Sequence, residues 1–268
     1  MTALSDLLAT TRVIDLAQPL QAGMPQSPNH PPFRMLLERR HGDLVREDGG
    51  SAANELIVTG GHVGTHVDAL AHVSQDGLLH GGAEAADLQS HRGFADLGIE
   101  HFAPMVGRAL LLDVAAVRGV DVLPAGYEVT PEDLEAALAR TGTTTRPGDA
   151  LLVGTGWSRL WQRREAFTGQ RDGVPGPGAA AGAWLAGRRP RVVGGETIAF
   201  EQIPADTGHA RLPVHRQLLV QHGINIVETM RLVPLLDEGI AEFDLVLNPL
   251  PVVGATGAPV RPLALVAP

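Results

Sequence analysis

Ala109-Leu110-Leu111-Leu112-Asp113-Val114 and Ala150-Leu151-Leu152-Val153 are short apolar runs with almost no polar alternation, and Thr130-Pro131-Glu132-Asp133 stands between them. Runs of this kind read as strands buried on both faces. The tetrapeptide opens a helix: threonine caps, proline fills a position that needs no amide, and two acids sit in the first turn. Strand, helix, strand is an α/β alternation. Further along the chain, residues 157–167 and 179–186 read as helices, separated by a loop at Gly173-Val174-Pro175-Gly176-Pro177-Gly178. Residues 192–193 and 224–227 read as strands, with a helix over 214–221 stopped by Gly223. Residues 243–247 and 260–266 close the chain as expected inner strands covered on both faces. Upstream, residues 55–59 form a β-branched strand running into Gly60-Gly61, and the proline-rich stretch 25–33 is a loop. With no repeat or low-complexity linker, the expected organisation is a single α/β domain over residues 1–268.

Composition removes several function classes. The 268 residues carry a formal charge of −9 without a basic cluster, which argues against a nucleic-acid partner and for a small-molecule substrate. No apolar run approaches the roughly 18 residues of a membrane helix, so no membrane partner is expected. The N-terminal stretch lacks the basic start, apolar run and cleavage site of a secretory signal, and a cytoplasmic location is the expectation. All 21 basic residues are arginine. Without lysine there is no Schiff base and no P-loop. Without cysteine there is no thiolate nucleophile and no cysteine-held zinc, so a metal must be held by His, Asp or Glu.

Such residues concentrate in Gly60-Gly61-His62-Val63-Gly64-Thr65-His66-Val67-Asp68-Ala69-Leu70-Ala71-His72. Imidazole and carboxylate are good ligands for zinc or manganese, and the glycines allow a turn tight enough to bring His62 and His66 onto one ion. Asp68 completes a three-residue set that leaves positions open for water, as a catalytic metal site requires. His30, His41, His80, His91, His101 and His222 are scattered and read as ordinary polar or half-buried residues.

The segment His62-Val63-Gly64-Thr65-His66-Val67-Asp68 followed by His72 resembles the HxGTHxD...H signature of the cyclase-like metal-dependent hydrolases, which include kynurenine formamidases, isatin hydrolases and a dienelactone hydrolase. Where the usual signature has proline, this chain has Leu70. The likeness extends to Thr155-Gly156-Trp157, Gly194-Gly195-Glu196-Thr197, Pro213-Val214-His215, Ile226-Val227-Glu228 and Gly257-Ala258-Pro259-Val260-Arg261, with Glu196 where relatives often carry aspartate. The resemblance implies a swivelling β/β/α fold. It assigns His62, His66 and Asp68 to a first metal, Asp68 as a bridge with His215 and Glu228 to a second, and proton transfer to His72. One or two zinc or manganese ions per chain follow, and a homodimer or homotetramer.

The implied reaction is attack of activated water on an amide, cyclic amide or, in third place, lactone carbonyl. Phe33 and Trp157 are candidate substrate contacts, because an aromatic substrate favours flat apolar surfaces. A serine hydrolase lacks its Gly-x-Ser-x-Gly elbow here, and no His-Glu-x-x-His helix occurs. A non-catalytic metal or small-molecule binding protein is the alternative from another class. It has no need of a proton-transferring His72 beside a ligand set.

Overall fold

A computed structural model describes residues 9–267. The expected buried runs form the centre of a nine-stranded sheet. Its strands are β1 (Arg12–Asp15), β4 (His66–Asp68), β5 (Met105–Asp113), β6 (Ala150–Gly154), β7 (Val192–Gly195), β8 (Asn225–Glu228), β9 (Glu242–Leu247), β10 (Gly257–Pro259) and β11 (Leu263–Val266), and β2 (Arg34–Arg39) with β3 (Asn54–Val58) makes a separate hairpin. The spatial order is β1-β11-β9-β5-β6-β7-β8-β4-β10. Strands β5 to β8 are mutually parallel, and both flanks are antiparallel.

Helices account for the parallel centre. Helix α1 (Pro131–Thr141) lies between β5 and β6 in the chain, and α2 (Ala179–Gly187) between β6 and β7. α1 begins in the expected capping box, Thr130 with Asp133. Their apolar sides, including Leu134, Leu138, Ala181 and Leu185, pack with Leu110, Leu112, Leu151, Val153 and Val193 of one sheet face. Leu111, Leu152, Val192 and Val227 point into a second core shared with Phe243, Leu245, Leu247 and Ala264. Every residue of β6 is therefore buried.

The antiparallel flank departs from expectation. β9 alternates, with Glu242 and Asp244 exposed and Phe243, Leu245 and Leu247 buried, so this part of the sheet is covered on one face only. Helices α1 and α2 pack on the face of β5, β6 and β7 and leave the Glu242 and Asp244 side of β9 to solvent. Pro262 confines the last strand to residues 263–266. The helix expected over 157–167 is a 3₁₀ turn at Trp157–Leu160 followed by a short helix at Arg164–Thr168. The indole of Trp157 donates to the Phe167 carbonyl at 2.9 Å, which folds the two pieces together and lets Trp157, Leu160, Trp161 and Phe167 all reach one apolar cluster. Within the glycine-proline loop, Gly176–Pro177 pairs with Glu128–Val129. No described helix is long and apolar enough to cross a membrane.

Candidate metal centre

Sheet register assembles the acids and imidazoles. β4 lies between β8 and β10, with His66 opposite Glu228 and Pro259, and Asp68 opposite Ile226 and Gly257. Asn225 ties β4 down from the same side by donating its amide to the Asp68 carbonyl at 2.7 Å. The turn before β4 carries Gly64 at φ 71, a left-handed conformation that suits glycine and sends His62 back over Asp68. His215 arrives from elsewhere, in a single helical turn (Pro213–His215) that continues as a π-helix to His222.

Asp68 is the hub. His62 Nδ1 is 2.7 Å and His66 Nε2 3.4 Å from Asp68 Oδ1, while His215 Nε2 is 3.6 Å from Oδ2. Glu228 closes the ring, with Oε2 3.4 Å from His66 Nε2 and Oε1 3.2 Å from His215 Nε2. His66, Asp68 and Glu228 offer ligand atoms that all lie within 4.8 Å of one another, close enough for one ion, and His215 Nε2 approaches the second oxygen of each carboxylate. His66, Asp68, His215 and Glu228 are all buried, yet His66 Nε2, Asp68 Oδ2 and Glu228 Oε1 have no hydrogen-bond partner. Three buried polar atoms left without a hydrogen bond in one cluster of acids and imidazoles fit a divalent cation, because leaving such groups unsatisfied is costly.

The outer ring nitrogens are committed elsewhere. His66 Nδ1 donates to the Gly64 carbonyl at 2.8 Å. His215 Nδ1 donates to the carboxylate of Glu201 at 2.6 Å. Each contact keeps a proton on Nδ1 and turns Nε2 inward, the usual arrangement of a metal-ligating histidine. His62 instead has Nδ1 on Asp68 and Nε2 2.9 Å from the Thr256 hydroxyl. Ligand atoms of His62, Asp68 and His72 form one compact group, and those of His66, Asp68 and Glu228 another, each within 4.8 Å. Asp68 belongs to both.

Electrostatics agree with a strongly anionic cradle. Burial opposes a charged His66, but the Asp68 and Glu228 carboxylates, each 3.4 Å from its Nε2, outweigh it and lift its pKa to about 10. His215 is likewise raised against burial by Asp68, Glu201 and Glu228. Asp68 and Glu228 are lowered despite burial, by His72, His215, His62 and His66 for the first and by His215 and His66 for the second. His72 behaves oppositely. Burial, helped by repulsion from His62 and His215 against the pull of Asp68, drops its pKa to about 3 and leaves a neutral imidazole. Its ring stacks on His62 with centroids 3.9 Å apart.

Several site residues were not legible in the sequence. His30, in the proline-rich loop, stacks on the outer side of His62 at 5.2 Å. Its loop is tied across to another by Asn29, whose amide donates to His209 Nδ1 at 3.0 Å. Beside His30 opens a cavity of about 890 Å³, lined also by Gln26, Arg164 and Arg171. Glu201 was equally unsignalled. Phe33 and Trp157 lie within an apolar cluster that includes Val63 and Ile198, next in sequence to His62 and Thr197. Glu196 is buried under them, accepting from the amides and hydroxyls of Thr155 and Ser158.

The model of the Cyclase family matches residues 14–202. This chain belongs to the Cyclase family. The kynurenine formamidase of Bacillus cytotoxicus is 26% identical over 248 residues, spanning 92% of this chain and 94% of that protein. A crystal structure described as a novel cyclase superposes with a TM-score of 0.84 at 30% identity, over 97% of this chain and 90% of the other. Isatin hydrolase A from Ralstonia solanacearum gives a TM-score of 0.76 at 25% identity, over 99% and 98%. The mixed α/β fold is thus that of solved Cyclase family structures, as the signature implied. The longer alignments take in His215 and Glu228, which lie beyond the family match.

Proposed function

We propose that this Cyclase family chain is a metal-dependent hydrolase that directs water onto the carbonyl of an amide or cyclic amide. The supporting observation is the cluster of His66, Asp68 and Glu228, whose ligand atoms lie within 4.8 Å of one another and whose buried Nε2, Oδ2 and Oε1 make no hydrogen bond. His66, Asp68, His215 and Glu228 would hold a zinc or manganese ion, with His62 and the shared Asp68 carboxylate available to a second. A divalent cation bound there supplies Lewis acidity and lowers the pKa of water toward neutrality. The residues supply the rest. Gly64 and Glu201 orient the two imidazoles, and the buried carboxylates keep the charge that a cation needs. His72, stacked on His62 and facing Asp68, is the proton-transfer residue, taking a proton from water and returning it to the leaving nitrogen. The cavity beside His30, whose ring stacks on His62, would be the approach for substrate.

The relatives named above act, by their names, on a formyl amide and a cyclic amide, which supports those two substrate classes ahead of a lactone. Assays of the metal-loaded protein on N-formylkynurenine, isatin and a dienelactone test this. Turnover of one of the first two is expected. A fully loaded protein inert toward all three would overturn the hydrolase reading.

A homodimer is part of the same proposal. The β2–β3 hairpin presents Met35, Leu36, Leu37, Leu56, Ile57 and Val58, each more than half exposed, on both of its faces. A two-stranded ribbon of this kind is marginal alone and gains stability only when covered. The same chain exposes Val13, Val106, Leu250, Val252 and Val253 elsewhere, so a second copy offers the matching apolar surface.

A further inference from the structure

Glu201 lies outside every motif of the sequence and outside the ligand cradle. Its carboxylate is 1% exposed and takes three donors from one turn. The Val214 amide donates to Oε2 at 3.0 Å, the His215 amide to Oε1 at 2.8 Å, and His215 Nδ1 to Oε1 at 2.6 Å. The two amides fix the carboxylate against the helical turn, so the ring contact is made by a group with no freedom to move. A carboxylate only accepts, and the hydrogen of this contact therefore belongs to Nδ1. Nε2 is left facing Asp68 and Glu228.

The backbone is bent to make this contact. Phe200, directly before Glu201, is buried and sits at φ 53, a left-handed conformation unfavourable for an aromatic residue. Thr229, directly after Glu228, is at φ 56. Strained residues thus adjoin two of the buried acids that face His215.

We infer that Glu201 is a positioning residue that holds the His215 proton on Nδ1 and aims Nε2 into the cradle. The inference rests on the cradle being a cation site, and Glu201 itself touches neither cation nor substrate. The Gly64 carbonyl does the same for His66, but as a backbone group it is beyond substitution. Glu201 is the partner that mutagenesis can reach, and its negative charge additionally raises the basicity of the ligand it holds.

The test is a double-mutant cycle on zinc affinity, measured by chelator competition for wild type, Glu201→Gln, His215→Ala and the double variant. It is accompanied by the Nδ1–H proton resonance of His215 in the metal-free protein. Glu201→Gln is expected to weaken zinc binding by about 10–100-fold, to add nothing once His215 is removed, and to shift the strongly downfield Nδ1–H resonance upfield. Full additivity in the double variant, or an unmoved resonance, overturns the inference. If Glu201→Gln does not fold, Glu201→Asp, which keeps the charge one methylene further back, carries the same cycle. A wild type that takes up no zinc sinks the cation reading alone, and the resonance still decides whether Glu201 holds the ring.

Discussion

At the scale of single residues, His66 and His72 show how one cluster yields two chemistries. His66 is surrounded by carboxylates that outweigh its burial, so without a cation its imidazole holds a proton. A cation must displace that proton, and uptake should weaken as pH falls. At His72 desolvation, with repulsion from His62 and His215, outweighs the pull of Asp68 and Glu228, and the imidazole stays neutral. His72→Ala should therefore lower kcat by about 10²–10⁴-fold while metal content, read by elemental analysis, stays at the wild-type value. Loss of the metal would make His72 a ligand instead. The signature residues were legible because four of them fall within eleven consecutive positions, 62–72. His215 and Glu228 look like any helix histidine and strand-end acid, and only their likeness to family motifs marked them. His30, His209 and Glu201 carried no signal, since loops and a strained turn bring them in from far along the chain.

At the scale of elements, the site depends on β4 being sandwiched in register between β8 and β10. Gly257 of β10 pairs with Asp68, and a Cβ there would lie 2.6 Å from His62 Cε1 and 2.8 Å from the Val67 carbonyl oxygen. The absent side chain is the space that His62 occupies. Gly257→Ala is expected to push His62 off Asp68 and to cut turnover at least ten-fold, with the displaced ring visible in a crystal structure of the variant; unchanged kinetics would show the ring contact to be dispensable. Apolar runs predicted the central strands well, because strands buried on both faces carry no polar residues to blur the pattern. Helices 157–167 and 214–221 were blurred at just those places where tertiary contacts override local pattern. An indole-to-carbonyl bond breaks the first, and the second winds as a π-helix behind His215. The open face of β9 shows the same limit, since a short apolar run does not reveal whether a helix will cover it.

At the scale of the whole molecule, the parallel centre is sealed by helices while the hairpin remains apolar and exposed and the antiparallel flank is open on one face. The proposed dimer predicts twice the chain mass in sedimentation equilibrium, and a single mass for a Leu36→Glu, Leu56→Glu variant that retains its far-ultraviolet circular dichroism. A monomeric wild type would leave the ribbon unexplained by self-association. The hairpin bears on assembly and the family likeness on substrate, while the buried ligand atoms around Asp68 that make no hydrogen bond point to a divalent cation. Elemental analysis of wild type and His66→Ala tests it most directly. One or two equivalents of zinc or manganese per chain are expected in wild type and are lost in His66→Ala; a wild type that stays metal-free after reconstitution would refute the cation site.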